Sequence, residues 1–329
     1  MKEKGTQLHA IICEVQRNLF TLICEHGEIH AKLKGTFYKE NSIFPVVGDK
    51  VLIYFNQKGD SIIEKVFERK SKFSRTDFSG HAAGYVKTIK EQVLAANFDY
   101  VFIVDSLNKN FKLNRIARYI SVTLKSGAKP VVILTKADLC NNVDDYVKEV
   151  KSISDKVEIC AISAKSGIGM NQLDPYLYSG NTIVFLGSSG VGKSTLLNAI
   201  AGEELMRVSE IRESDSKGRH TTTHRQLIIL PSGVAIIDTP GIRELGLYDA
   251  REGIDDTFSD ITEFFGKCKY RNCTHTTESG CAVKKAIENM IISDERWKLY
   301  CRFRNENEWG QNKTFHTSKQ NSRNKNSKK

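Results

Sequence analysis

Residues Ile183 to Ile200 read IVFLGSSGVGKSTLLNAI. The apolar run TIVFL enters a glycine-rich loop of pattern GxxxxGKS, Gly187 to Ser194, and TLLNAIAG behind it is helix-compatible. Strand, glycine loop and helix in this order make a phosphate cradle, because the glycines let backbone N–H groups curl around phosphate oxygens at a helix N-terminus. The predicted phosphate contacts are Gly187, Ser188, Ser189, Gly190, Val191, Gly192, Lys193, Ser194 and Thr195. Lys193 would reach the β- and γ-phosphates and Ser194 would be a ligand of Mg²⁺. A strand feeding such a loop implies an α/β sheet, which sets the fold of the middle of the chain.

Working outward, DTPG (Asp238 to Gly241) follows the strand-like run VAIIDTP. Asp238 suits a carboxylate for Mg²⁺, direct or through water, and Gly241 an N–H for the γ-phosphate. Between the two motifs lies GRHTTT, Gly218 to Thr223, whose hydroxyls suit closure of the Mg²⁺ shell. Thr222 is the expected ligand, although Thr221 and Thr223 offer the same group. Loops that close on a γ-phosphate and release after hydrolysis are the usual switch.

Upstream, TKAD spans Thr135, Lys136, Ala137 and Asp138 at the end of the run PVVIL. The Asp138 carboxylate can accept from N1–H and the exocyclic amine of guanine, and adenine has neither donor in that place. Lys136 would lay its aliphatic stem across the base. A second strand end carries SAK: Ser163, Ala164 and Lys165. Both base-reading motifs therefore precede every phosphate-reading one. All lie at strand ends, where open α/β sheets bind ligands whatever the chain order. The order is that of a circular permutation, and it leaves the loop after DTPG running into the next segment, placed to tilt that segment as a lever.

Apolar strands such as DYVFIVDS, KPVVILTK, VEICAISA and RQLIILPS, separated by helical stretches LNRIARYISVTLKSG and VDDYVKEVKSIS, predict a mostly parallel sheet covered on both faces. Before it, LHAIICEV, LFTLICE, EIHAKLKG, KVLIYFN and SIIEKVF read as five strands of a small barrel. An OB-like barrel is the leading reading and an SH3-like barrel the alternative. The basic stretch ERKSKFSR that follows reads as a solvated linker.

The expected organisation is therefore a five-stranded OB-like RNA-binding barrel over 1–70 and a circularly permuted α/β nucleotide domain over 71–248. A mainly helical metal-binding domain over 249–310 and a disordered basic tail over 311–329 complete the chain. That tail holds six Lys or Arg and no acid. It reads either as a solvated tail or as a basic arm that condenses on RNA phosphates.

The chain has 329 residues, 40% of them hydrophobic, a formal net charge of +10 and eight cysteines. No apolar window is long enough for a membrane span and no secretory leader opens the sequence, so a cytoplasmic protein with reduced thiols is expected. Cys268, Cys273, His275 and Cys281 form the cluster CxxxxCxHxxxxxC, the ligand set of one closed, structural Zn²⁺ per chain. Lys267, Lys269, Tyr270, Arg271 and Asn272 decorate it with the cations and aromatic ring that suit RNA. Cys13, Cys24, Cys140, Cys160 and Cys301 read as small hydrophobes or incidental thiols. No periodic apolar face offers a dimer interface, so a monomer is expected.

Barrel, the motif order TKAD, SAK, GSSGVGKST, GRHTTT, DTPG, and then the cysteine–histidine cluster together resemble the ribosome small-subunit-dependent GTPase A family (RsgA, also called YjeQ) over roughly residues 8 to 300. The resemblance implies a cytoplasmic bacterial GTPase that converts GTP to GDP, binds the small ribosomal subunit and its rRNA late in maturation, and is activated by it. Two positions depart from general GTPase patterns. Thr135 stands where an asparagine is common, and Ile242 where many switch GTPases place the glutamine that orients water. Slow intrinsic hydrolysis follows, with His220 as the candidate water-orienting group; contact of His220 with the ribosome or solvent, with rRNA completing the site, is the alternative. A nucleotide-gated rRNA-binding module with incidental hydrolysis is the competing function, and an ATPase on the same scaffold is disfavoured by Asp138.

Overall fold

The computed structural model describes residues 6–16, 19–38, 43–77, 90–154, 157–205, 226–238 and 250–308. The chain opens with five strands, β1 (Gln7–Gln16), β2 (Leu19–Cys24), β3 (Gly27–Leu33), β4 (Lys50–Tyr54) and β5 (Ser61–Val66). They pair in the order β1-β2-β3-β5-β4 and close through β1–β4, with β3 and β5 parallel. Alternation drives this closure: Ile12, Leu22, Ala31, Val51, Ile53 and Ile63 are fully buried inside, while their strand neighbours face outward. The five-stranded barrel agrees with the leading sequence reading.

A hairpin follows, β6 (Lys72–Asp77) with β7 (Lys90–Ala96). Here the sequence reading needs correction. The stretch read as a solvated linker enters β6, and Ser71 and Phe73 are buried, the ring of Phe73 packing 4.6 Å from that of Phe98. One aromatic residue in a basic context gave no periodic signal; its pairing with β7 makes the strand.

Strands β8 (Tyr100–Ser106), β9 (Lys129–Thr135), β10 (Glu158–Ala161), β11 (Thr182–Leu186) and β13 (Ala235–Asp238) form a parallel sheet in the order β10-β9-β8-β11-β13, with β12 (Gln226–Ile229) antiparallel at its edge. Helices α1 (Leu113–Ser126) and α2 (Val143–Lys151) contribute to one core, and α3 (Lys193–Ala201) packs into another with Val104, Ile133 and Phe185. Sequential β-α-β segments place the loops after β8, β9, β10 and β11 at the same end of the sheet.

Two junctions were not legible beforehand. Edge strand β12 pairs with β1 at Glu14 and Gln226, so barrel and α/β sheet are continuous. Gly48 brings the barrel close to β7 and β13: its φ is +88°, and a Cβ there would lie 2.0 Å from the Ala96 carbonyl and 3.1 Å from Ile237 Cδ1. The C-terminal helices α4 (Arg251–Thr257), α5 (Ser259–Thr262), α6 (Ala282–Glu288) and α7 (294–308) share one core with α1, in which Ile116 and Ile120 meet the cluster of Phe258, Ile261 and Phe303.

Candidate functional site: a phosphate loop, a base-reading edge and a metal loop

The loop after β11 is held open by glycines. Gly187, Gly190 and Gly192 have φ of 151°, 75° and 96°, and a Cβ on Gly187 would lie 2.3 Å from the Val104 carbonyl. Gly192 caps α3, whose first residues are Lys193, Ser194 and Thr195. The Lys193 ammonium folds back to donate to the carbonyls of Gly187 (2.8 Å) and Ser188 (2.6 Å). It thus lies across the mouth of the loop, where a phosphate would draw it. Ser188 is partly covered, Ser189 exposed and Val191 buried.

TKAD begins at the end of β9. Thr135 is 3% exposed, and its hydroxyl donates to the Val191 carbonyl at 2.6 Å, with the Asp105 carbonyl 3.2 Å away. Lys136 takes the left-handed conformation (φ 62°), which swings its side chain over the phosphate loop to donate to the Gly190 carbonyl at 3.1 Å. Ala137 donates its N–H to the Ile162 carbonyl, binding this turn to the end of β10. Asp138 is exposed in a short 3₁₀ turn. Beyond β10, Ser163 is buried, its N–H donating to Ile168 and its Oγ accepting from Ser166, while Lys165 is exposed. The structure thereby gathers Thr135 to Asp138, Ser163 to Lys165 and Gly187 to Thr195 at one end of the sheet.

Asp238 ends β13, whose residues pair with β11 up to Val184 and Ile237, one strand from the phosphate loop. His220, Thr221, Thr222, Thr223, Gly241, Ile242 and the basic tail lie outside the described residues.

Sequence reasoning passed over Asp105 and Arg115. Asp105, 1% exposed at the end of β8, receives Arg115 of α1 at 2.8 Å on both carboxylate oxygens. Burial raises its pKa and the Arg115 guanidinium pulls it back. An acid ending an otherwise apolar strand, VFIVDS, was the available signal.

Among the described residues, Cys268, Cys273, His275 and Cys281 gather their donor atoms within 4.8 Å of one another. Cys268 and Cys281 sulfurs lie 3.9 Å apart, and His275 Nδ1 is 3.5 Å and 3.4 Å from them. A tetrahedral ion with Zn–S about 2.3 Å and Zn–N about 2.0 Å would set sulfurs about 3.8 Å apart and sulfur to nitrogen about 3.5 Å. The donor set thus fits a metal. His275 is stacked on Phe265 at 4.5 Å and edged by Trp297, and burial lowers its pKa, favouring the neutral, ligating imidazole. Cys281 caps α6, and the Ala282 N–H donates to Cys268 Sγ at 3.3 Å. By contrast, burial pushes the Cys13 thiol up to about 12 and the Cys160 thiol to about 11, as small core hydrophobes require.

A family model described as RsgA GTPase matches residues 66–248. The small ribosomal subunit biogenesis GTPase RsgA 1 of Listeria innocua is 40% identical over 307 residues, covering 93% of this chain and 85% of that protein. The small ribosomal subunit biogenesis GTPase RsgA of Methanosarcina acetivorans is 38% identical over 304 residues, covering 92% and 80%. Among solved structures, YjeQ from Thermotoga maritima superposes with a TM-score of 0.68 at 29% identity, covering 91% of this chain and 98% of that one. YloQ, a circularly permuted GTPase, shares the fold with a TM-score of 0.66 at 24% identity, covering 94% and 97%.

Proposed function

The chain belongs to the RsgA GTPase family, and on that premise we propose that it hydrolyses GTP to GDP and phosphate on the small ribosomal subunit, in the biogenesis of that subunit. The observation that carries this is the 3.1 Å bond from Lys136 to the Gly190 carbonyl, which ties the guanine-reading turn to the phosphate loop despite their reversed order in the chain. In this reading Asp138 selects guanine, with Lys136 against the base and Ser163, Ala164 and Lys165 closing its edge. Lys193 leaves its two carbonyl partners for the β- and γ-phosphates, and the N–H groups of Gly187 to Thr195 surround them.

Mg²⁺, when bound with GTP, neutralises the charge that develops on the phosphate oxygens. Ser194, Asp238 and Thr222 are the chain's groups for it, and Gly241 is the N–H for the γ-phosphate. His220 orients the attacking water, a role that Ile242 cannot take because it has no hydrogen-bonding group. The metal loop holds zinc in a structural role: three thiolates and one imidazole leave no open position. Its exposed Tyr270 and neighbouring lysines, together with the barrel, are the groups offered to rRNA. A cytoplasmic monomer fits this role.

The test is phosphate release from GTP by the chain alone and with purified small subunits, with large subunits and ATP as controls. Stimulation by small subunits and GTP only is expected. Equal slow rates in every condition would favour a nucleotide-gated rRNA-binding module instead. A His220→Ala chain that keeps full subunit-stimulated turnover would remove the histidine from its assigned role.

A further inference from the structure

Beside the nucleotide loops a buried carboxylate, Asp105, is paired with the partly exposed Arg115, and the proposed function gives the pair no task. The carboxylate of Asp105 is 1% exposed and takes both its oxygens' contacts at 2.8 Å from the same Arg115 nitrogen, with Arg115 Nε adding a third at 3.2 Å. Asp105 Oδ1 also accepts the N–H of Ser106 at 2.8 Å. Arg115 in turn donates to the Asn110 carbonyl at 2.7 Å, so the whole connection from β8 to α1 is drawn around the pair. Removing the Asp105 charge from water is costly, and losing its one cationic partner would leave that charge unpaired.

What they fix is the seat of the nucleotide loops. The carbonyls of Val104 and Asp105 form the floor under the phosphate loop. The first leaves room only for glycine at 187, and the second lies 3.2 Å from the Thr135 hydroxyl, whose proton goes to Val191. Leu107 N–H donates to the Thr135 carbonyl at 2.9 Å, so Leu107 holds Thr135 on one side of Ser106 while the Asp105 carbonyl lies against its hydroxyl on the other. We propose that Asp105 and Arg115 are the positioning pair of the nucleotide site: they hold the end of β8 so that Thr135 can pin the phosphate loop at Val191. The inference rests on the reading that this loop binds guanine nucleotides. The pair acts through the end of β8, with Thr135 as its hydrogen-bonded link to the phosphate loop.

The experiment is a double-mutant cycle on the full-length chain, with GDP and Mg²⁺ as the probe. Calorimetry gives the affinity, and the phosphorus NMR shifts of bound GDP report how the phosphates are held. Arg115→Met, which removes a charge-assisted contact, and Thr135→Val, which removes a neutral hydrogen bond, should each weaken GDP about tenfold, in line with loss of a single hydrogen bond. The double variant should be no weaker than either single one, because both remove the same brace. Thr135→Ser, which keeps the hydroxyl, should restore binding and the phosphorus shifts.

Arg118→Met, one turn further along α1, removes a contact to Glu306 and serves as the stability control. It should lower the melting temperature and leave GDP affinity and phosphorus shifts unchanged. If Arg115→Met does not fold, Asp105→Asn keeps the shape and an acceptor for Ser106 and takes its place in the cycle. GDP affinity within about twofold of the unaltered chain, or effects that multiply in the double variant, would overturn the proposal. A failure of the unaltered chain to bind GDP would sink the nucleotide reading itself, and the proposal with it.

Discussion

Glu278 accepts hydrogen bonds from the Thr274 hydroxyl and from the N–H groups of Thr274, Thr276 and Thr277, so its carboxylate closes the turn that carries His275. The Thr274 hydroxyl, followed by the backbone donors, holds the Glu278 pKa down to about 2 from 4.5. A depressed carboxyl stabilises the fold above its unfolded value, and that contribution is lost as pH falls from 4.5 through about 2. Protons compete with a bound metal for its thiolates above this window, so acid would release a metal held there before Glu278 loses its charge. Glu278→Gln should therefore weaken Zn²⁺ retention about tenfold, by the same factor at pH values of about 6 to 8. Competition with a chromophoric chelator measures it; unchanged retention would mean that the metal alone orders the turn.

Helix α4 lies so close on α1 that a Cβ on Gly253 would be 1.9 Å from the Ser121 carbonyl and 3.0 Å from the Lys125 nitrogen. The buried hydroxyls of Ser121 and Thr257 meet at 2.9 Å in the same seam. Alanine favours a helix over glycine by about 1 kcal/mol, but the methyl would have to push backbone from backbone. Gly253→Ala should thus destabilise by about 1 to 3 kcal/mol, measured by denaturant unfolding, and a gain in stability would show that α4 docks loosely. This close seam also marks where sequence reading stops. Runs such as VFIVDS and KPVVILT announce buried strands through local composition, and GSSGVGKS announces its loop through glycine. Gly253 in REGIDDT and Ser121 in YISVTLK mean little until the two helices meet. Phe73 gives no signal on the same ground, since its neighbours in sequence are serine and basic residues and its partners come from β7 and beyond. At the site, the letters of TKAD reveal a guanine motif but not that the Thr135 hydroxyl faces Val191 rather than solvent.

At the scale of the molecule, the cysteine–histidine loop and the nucleotide loops share one core, in which α1 lies directly on α4. Phe265 and Trp297 pack on His275, Tyr300 stacks on Trp297, and Phe258 links Tyr300 and Phe303 to the core shared with Ile116 and Ile120. The aromatic chain is apolar and independent of the metal beyond His275, so it should survive removal of the ion. The turns between α5 and α6 have less to hold them: their order rests on Cys268, Cys273 and His275 and on the Glu278 turn, and Cys281 starts α6. Chelation should accordingly raise hydrogen exchange across about residues 263–292 while α1, α4 and α7 stay protected, and GDP affinity should change by less than about twofold. Exchange followed by mass spectrometry, with a GDP titration on the same sample, checks both parts. Loss of GDP binding in step with the metal would carry a different meaning. It would show that unfolding travels from the cysteine–histidine loop through the shared core into α1, whose first turn holds Arg115 against Asp105 beside the phosphate loop.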